Sequence, residues 1–154
     1  MTDSEPAPRA RRADRRSDAR ERALYLLYEA AQKDVPVDDV LAGQVVPADA
    51  LTTLLVTGVA AERERLDAAI AGRAEGWSLA RMPILDLVVL RLGAFELAER
   101  PDVPVAVVID EAVELAKRFS TDNSGRFVNG VLAALAGDLR NGGGAPSAGD
   151  AADG

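Results

Sequence analysis

The amino-acid sequence predicts an all-α protein, and three observations lead to that class. Apolar residues make up 48% of the chain and aromatic residues only 4%, which favours helices packed through small aliphatic side chains. Between about residues 16 and 140, apolar positions recur at the three- and four-residue spacing of helices. Pro and Gly stand between these segments, where helices begin and end.

The first half of the chain predicts three helices. Ser17 suits the N-cap of the first helix, whose apolar stripe consists of Ala23, Leu24, Leu27, Tyr28 and Ala31. A short helix follows Pro36 and ends at Gly43. A long helix is then expected from about residue 48 to residue 74, with its buried side marked by Leu51, Leu54, Leu55, Val59, Leu66 and Ile70.

The second half predicts three more helices. The segment "PILDLVVLRLGAFELAER" starts with Pro83 and is apolar nearly all round in its first half, which is typical of a central buried helix. The segment "AVVIDEAVELAKRF" is amphipathic, with Val108, Ala112, Leu115 and Phe119 on one face. The last helix starts in the polar run "STDNS", which offers several N-caps, and extends to Arg140.

Asn129-Gly130, inside "RFVNGVL", is the one strong signal for a different structure. An Asn-Gly pair between apolar residues is typical of a β-hairpin. A hairpin would need a second strand made from "VLAALAG", which is rich in Ala and does not alternate, so a helix is the better interpretation. Gly130 is then expected to allow a close helix crossing, whereas Asn129 either bonds a neighbouring backbone group or contacts a ligand.

The helical segments predict one domain, residues 16–140, between two disordered tails. Residues 1–15 form a basic arm without apolar periodicity, and residues 141–154 form a Gly/Ala tail. The first residues lack a secretory signal, and the longest apolar run, "VPVAVVI", is too short to span a bilayer. A cytoplasmic protein without a membrane partner is expected.

The composition argues against an enzyme. The chain has no His and no Cys, so the commonest general base, thiol nucleophile and metal ligands are missing. No phosphate-binding loop or nucleophile motif is found, and the paired carboxylates of Asp110 and Glu114 are typical of a solvated helix surface. We expect no catalytic residues, no cofactor and no metal.

Binding signals are stronger, and they indicate single-stranded nucleic acid. The net charge of the chain is −7, yet residues 9–22 contain seven arginines and only three acidic residues. Arg12, Arg16 and Arg20 would form one basic ridge if the first helix extends backwards. Lys117 and Arg126 flank the start of the last helix, whose backbone N–H groups suit phosphate. Phe127 is either a core residue or a stacking platform for a base.

Three segments carry a family resemblance. "DARERALYLLYEA", "GWSLARMPILDLVVLRLGAFEL" and "VVIDEAVELAKRFSTDNSGRFVNGVL" resemble the NusB family of transcription antitermination factors over about residues 16–140. The resemblance implies about seven helices in two small packed bundles. It also implies binding of boxA RNA in nascent ribosomal RNA transcripts together with the ribosomal protein NusE, and an indirect link to the RNA polymerase elongation complex.

The resemblance further implies roles for particular residues. Arg16 and Arg20 fall on RNA-contacting positions, and Lys117, Arg126 and Phe127 border the RNA surface. Asp86 stands where a family carboxylate meets NusE. Two alternatives stay open: a helical protein-binding scaffold or homodimer without RNA contact, and an RNA-recognition module related to the N-terminal domain of ribosomal RNA cytosine methyltransferases.

Overall fold

The structure is a computed structural model that describes the backbone of residues 8–141 and the side chains of residues 14–140. The described chain is helical throughout, with no strand among these residues. It comprises α1 (Pro8–Lys33), α2 (Val37–Ala42), α3 (Ala50–Ala61), α4 (Arg63–Arg73), a short 3-10 helix (Leu79–Arg81), α5 (Ile84–Glu99), α6 (Val105–Phe119), α7 (Asp122–Ala136) and a π-helical turn (Gly137–Asn141). The predicted all-α class is confirmed.

The helices form two small groups that share α5. Helices α1, α2 and α3 pack on one another, and α4 to α7 form the second group, while α5 contacts α1 and α3 as well as its own group. Ten of the sixteen residues of α5 are buried, as its continuous apolar sequence predicts. The core therefore runs along α5, and each other helix places its apolar face against it or against a neighbour.

Helix α1 begins earlier than the sequence predicts. It starts at Pro8, so residues 8–15 are helical although they were assigned to the disordered arm. Arg and Ala have high helix propensity and Pro suits a first turn, so nothing in this segment stops the helix at Ser17. The Ser17 hydroxyl, expected as an N-cap, instead donates to Glu111 Oε1 at 2.7 Å. Residues 1–7 and 142–154 lie outside the described residues.

The predicted long helix of residues 48–74 is two helices. Asp49 caps α3, and its carboxylate accepts a 2.7 Å bond from the backbone N–H of Thr52. The chain leaves helical geometry at Glu62, where φ is −103° and ψ is 12°. No Gly or Pro marks this break, so the sequence does not show it. The break redirects α4 toward α5 and α7.

Gly93 and Gly58 allow close packing of neighbouring helices, whereas Gly130 does not. A Cβ on Gly93 of α5 would lie 2.6 Å from a methyl group of Leu132, and a Cβ on Gly58 would lie 2.3 Å from the Phe95 ring. Gly130 is exposed, and a Cβ there would meet nothing within 4 Å. The predicted helix through residues 126–132 is confirmed, but the expected close crossing at Gly130 is wrong.

Arg140 holds the end of the second group together. Its guanidinium donates to the backbone carbonyls of Leu97 and Val103, at 3.1 and 2.6 Å, and to those of Glu96 and Arg100, at 3.0 and 3.1 Å. These carbonyls lie at the C-terminal end of α5 and in the following loop, where a cation is favourable; those of Glu96 and Arg100 also accept bonds from the backbone N–H groups of Arg100 and Val103. Among the described residues, no helix is both long and apolar enough to cross a membrane.

Candidate nucleic-acid interface

A groove between α6 and α7 brings together three of the predicted binding residues. Lys117 on α6 and Arg126 and Asn129 on α7 line this groove, which encloses about 680 Å³. Gly125 makes the arrangement possible, because a Cβ there would lie 2.6 Å from Lys117 Cγ. The Lys117 stem therefore lies against the α7 backbone while its ammonium group stays exposed.

The groove is not uniformly basic. Asp110, Glu114 and Asp122 line it together with the two cations. Lys117 has no carboxylate within salt-bridge distance among residues 14–140, and Arg126 donates to the Asn123 side chain rather than to an acid. No salt bridge within residues 14–140 therefore neutralises Lys117 or Arg126, whereas the acidic residues of the groove limit where a polyanion can approach.

A smaller cleft lies at the start of α7, on a different face of that helix from the groove. It encloses about 300 Å³ and is lined by Trp77, Met82, Pro83, Asp86, Asn123, Ser124 and Phe127. The rings of Trp77 and Phe127 lie with their centroids 5.9 Å apart and their planes tilted by 55°. Phe127 is half-buried against the core, and Trp77 is 53% exposed. Phe127 thus belongs partly to the core and partly to an aromatic wall.

Asp86 lies inside the protein, at the floor of this cleft. Its side chain is buried, and its Oδ2 accepts a 2.9 Å hydrogen bond from the Ser124 hydroxyl, which joins α5 to the first turn of α7. Its Oδ1 is buried without a hydrogen-bond partner among the described residues. Asp86 is therefore buried, and its contact with NusE, which the family resemblance implies, stays a prediction.

Arg20 is buried, which corrects its assignment to a solvent-facing basic ridge. Its guanidinium donates to both carboxylate oxygens of Glu96, at 2.6 and 3.0 Å, and more weakly to Glu111 at 3.4 Å. Burial alone would lower the pKa of Arg20, but the hydrogen bond and charge of Glu96 outweigh it and raise that pKa. Glu96 also accepts a 2.8 Å bond from Arg100.

Helical geometry explains the difference between Arg20 and Arg16. Residues four apart point in directions that differ by about 40° around a helix, so Arg16 and Arg20 do not lie on the same line along α1. Arg16 is exposed, while Arg20 has turned into the contact with α5 and α6. Arg12 lies in α1, but its side chain is outside the described residues.

The basic start of α1 and the α6–α7 groove lie on different sides of α6. Two hydrogen bonds join α1 to α6: the Ser17 hydroxyl donates to Glu111, and Arg118 donates to Glu21. The groove follows the stripe of Asp110, Val113, Glu114 and Lys117 instead. Helix α6 therefore separates the two regions, and the described residues do not form the single continuous surface on which both were expected to converge.

Trp77 is the residue that the sequence analysis did not assign to the site. The sequence shows it only as the chain's single Trp, in a turn after Gly76. A single Trp in a chain with 4% aromatic residues is the only signal that the sequence offers, and its 53% exposure is visible only in the structure.

Comparisons with known proteins agree on one family. The model of the NusB family matches residues 17–137. A transcription antitermination protein NusB from Saccharopolyspora erythraea is 52% identical over 128 residues, which cover 79% of this chain and 86% of the relative.

Two solved structures share the fold. NusB of T. maritima has a TM-score of 0.72 and 32% identity, with 79% of this chain and 89% of that chain covered. A chain in a crystal structure of a plectonemic RNA supercoil has a TM-score of 0.67 and 26% identity, with 79% and 92% covered.

Proposed function

The chain belongs to the NusB family, and from that premise we propose that it is an RNA-binding transcription antitermination factor without catalytic activity. It binds boxA-type single-stranded RNA of nascent ribosomal RNA transcripts in the cytoplasm, together with the ribosomal protein NusE, and acts on the elongation complex through that pair. The proposal rests on one observation, which is a group of binding side chains around the first turns of α7. The group consists of two cations, an amide and two aromatic rings: Lys117, Arg126, Asn129, Trp77 and Phe127.

The cations supply the sequence-independent part of binding. Lys117 and Arg126 are exposed on adjoining turns of α6 and α7, and Arg16 is exposed on α1. Since the whole chain carries a net charge of −7, only such local cations attract RNA phosphates. The acids of the groove restrict the RNA path to the Lys117 and Arg126 end.

The uncharged groups supply contacts to bases. Asn129 is exposed on α7 and presents both a donor and an acceptor to a base edge. The exposed side of Phe127 offers a ring on which an unstacked base can lie. These features suit single-stranded RNA, because the base edges and faces of a duplex are not accessible to them.

The test is a titration of labelled boxA RNA, followed by fluorescence anisotropy at two or more salt concentrations, with and without NusE. We expect affinity for boxA RNA above that for a scrambled RNA, a gain with NusE, and a decline as salt rises. The slope of log affinity against log salt should fall by about 0.7 for each phosphate contact that a variant removes. Equal affinity for both RNAs, and no gain with NusE, would refute the proposal.

Lys117→Ala and Arg126→Ala should each weaken binding and flatten the salt dependence. Lys33→Ala is the matched control, because Lys33 is an exposed cation in the last turn of α1, has a side chain 63% accessible, and lines neither the groove nor either cleft. Its removal should leave RNA affinity and the salt slope unchanged. A control variant that lost as much affinity as the groove variants would point to a general charge effect instead.

A protein-binding scaffold is the second candidate, and one feature favours it. A cleft of about 380 Å³ lies between α1, the α2 start, α3 and α5, and it is lined mainly by apolar residues such as Leu27, Val59 and Ile84. Ile84 is 39% exposed at its rim. If this cleft carries the function, Ile84→Asp should abolish association with NusE, or self-association, without changing the affinity for RNA alone.

A further inference from the structure

We infer that the cleft lined by Trp77 and Phe127 holds one unpaired nucleobase, stacked on the exposed face of Trp77. This inference rests on the proposed function and deepens it, because it assigns a base subsite to a residue outside the phosphate-binding groove. The cleft, defined by the seven residues named above, lies on a different face of α7 from that groove, and the two are linked where Asn123 of the cleft accepts a hydrogen bond from Arg126 of the groove.

The size and walls of the cleft fit a base. Its volume of about 300 Å³ is at the lower end of the range for small-molecule sites, which suits a single planar ring system rather than a bulky ligand. Trp77 presents more than half of its surface to solvent, and Phe127 limits the cleft on the α7 side. A base stacked on the exposed indole would cover apolar surface that the fold leaves in water.

The floor of the cleft supplies hydrogen-bonding groups for the edge of the base. Asn123 is exposed and carries an amide, and Ser124 lines the cleft beside it. Asp86 lies beneath them, and its Oδ1 is the one buried side-chain oxygen without a hydrogen-bond partner among residues 14–140. The floor is thus rich in acceptors, which match the N–H donors that every base presents on its pairing edge.

Charges beside the cleft favour a nucleotide over an apolar peptide side chain. Arg126 is exposed and donates to Asn123 of the cleft, and Arg81 is exposed one residue before Met82 in the chain. Phosphates on either side of an inserted base would meet these guanidinium groups. A hydrophobic anchor from a protein would gain nothing from two flanking cations and an acceptor-rich floor.

The experiment uses the chain's single tryptophan as its own reporter. Trp77 fluorescence is recorded while short single-stranded boxA RNA is added to the full chain, and anisotropy of labelled RNA measures binding independently. We expect quenching of Trp77 that saturates together with the anisotropy. An RNA series with one abasic nucleotide at successive positions should lose the quenching at one position while still binding.

Two variants test the energetic role. Trp77→Ala should weaken RNA binding by about 5- to 150-fold, the range that stacking on an aromatic ring represents, and Trp77→Phe should retain part of the affinity. Leu54→Ala is the matched control, since Leu54 is 47% exposed on α3 and lies outside both sites. Circular dichroism verifies that each variant is folded; if Trp77→Ala does not fold, the wild-type quenching and abasic series still decide.

The outcomes separate this inference from the proposed function. RNA binding by anisotropy without any change in Trp77 fluorescence overturns the base subsite and leaves RNA binding in place. Quenching by NusE but not by RNA also overturns it, in favour of a protein contact. A wild-type chain that binds no boxA RNA, with or without NusE, overturns both.

Discussion

Replacing Arg20 with Ala should destabilise the protein strongly without removing an RNA contact. Arg20 and Glu96 form a bidentate pair between α1 and α5, with side chains 5% and 4% exposed. Breaking a buried ion pair by removing one partner costs about 3–5 kcal/mol, because the remaining charge stays buried. Here Glu96 keeps a 2.8 Å bond from Arg100, so we expect the lower end of that range, about 3 kcal/mol.

The assay is equilibrium unfolding in urea, followed both by circular dichroism and by Trp77 fluorescence so that a single cooperative transition can be verified. Arg16→Ala is the matched control on the same helix, and because Arg16 is exposed its cost should stay within about 0.5 kcal/mol. The double replacement Arg20→Met with Glu96→Leu removes both buried charges and should restore most of the lost stability.

RNA binding gives the decisive contrast. At a temperature where the variants are folded, Arg16→Ala should weaken boxA binding, whereas Arg20→Met with Glu96→Leu should bind with wild-type affinity. The reasoning is refuted if Arg20→Ala changes the free energy of unfolding by less than about 1 kcal/mol and instead reduces RNA affinity. That result would return Arg20 to the exposed ridge that its spacing from Arg16 suggests.

Further predictions concern caps and glycines. Asp49→Ala should cost about 1 kcal/mol in urea unfolding, because it removes the α3 cap, whereas Asp49→Asn should cost little. The hydrogen bond from the backbone N–H of Thr52 lowers the pKa of Asp49. The stabilisation by this cap is therefore present above the carboxyl pKa of the unfolded chain and is lost as pH falls through the lower pKa of the folded chain. An acid titration in which wild type and Asp49→Ala lose stability in parallel would contradict this. Gly130→Ala should raise stability by about 0.5–1 kcal/mol, since its Cβ would occupy open space in a helix. Gly58→Ala should instead destabilise by about 1–3 kcal/mol, because its Cβ would overlap the Phe95 ring, and a thermal midpoint equal to that of wild type would show that the ring can move aside.

The sequence predicts the helices well because their patterns are local. The helix through residues 126–132 is an example: Asn129-Gly130 favours a hairpin, but the Ala-rich segment that follows cannot supply a second strand. The break at Glu62 escapes prediction because both sides of it are good helix formers and no Gly or Pro intervenes. There the direction of the chain depends on how α4 packs on α5 and α7, and a local pattern does not contain that information.

The candidate site is predicted only in part, for the same reason. Lys117, Arg126 and Asn129 line one groove because they belong to two consecutive helices, and their contact with RNA stays a prediction. The burial of Arg20 depends on Glu96, 76 residues later, and the cleft depends on Trp77 meeting Phe127 from a distant turn. Such pairings require the tertiary structure, so spacing along α1 alone suggests an exposure that Arg20 does not have.

The long separation between α1 and its ionic partners also affects how the chain folds during synthesis. Arg20 contacts Glu111, which lies 91 residues further along. At a ribosomal rate of about 5–20 residues per second, α1 waits roughly 5–18 s for that partner to be made. For most of this interval, until α5 is complete at Glu99, its apolar face has no α5 to cover it. Helices α6 and α7 are made last and pack as neighbouring segments, so the nascent chain acquires the groove between them only in the same final seconds in which α1 is anchored.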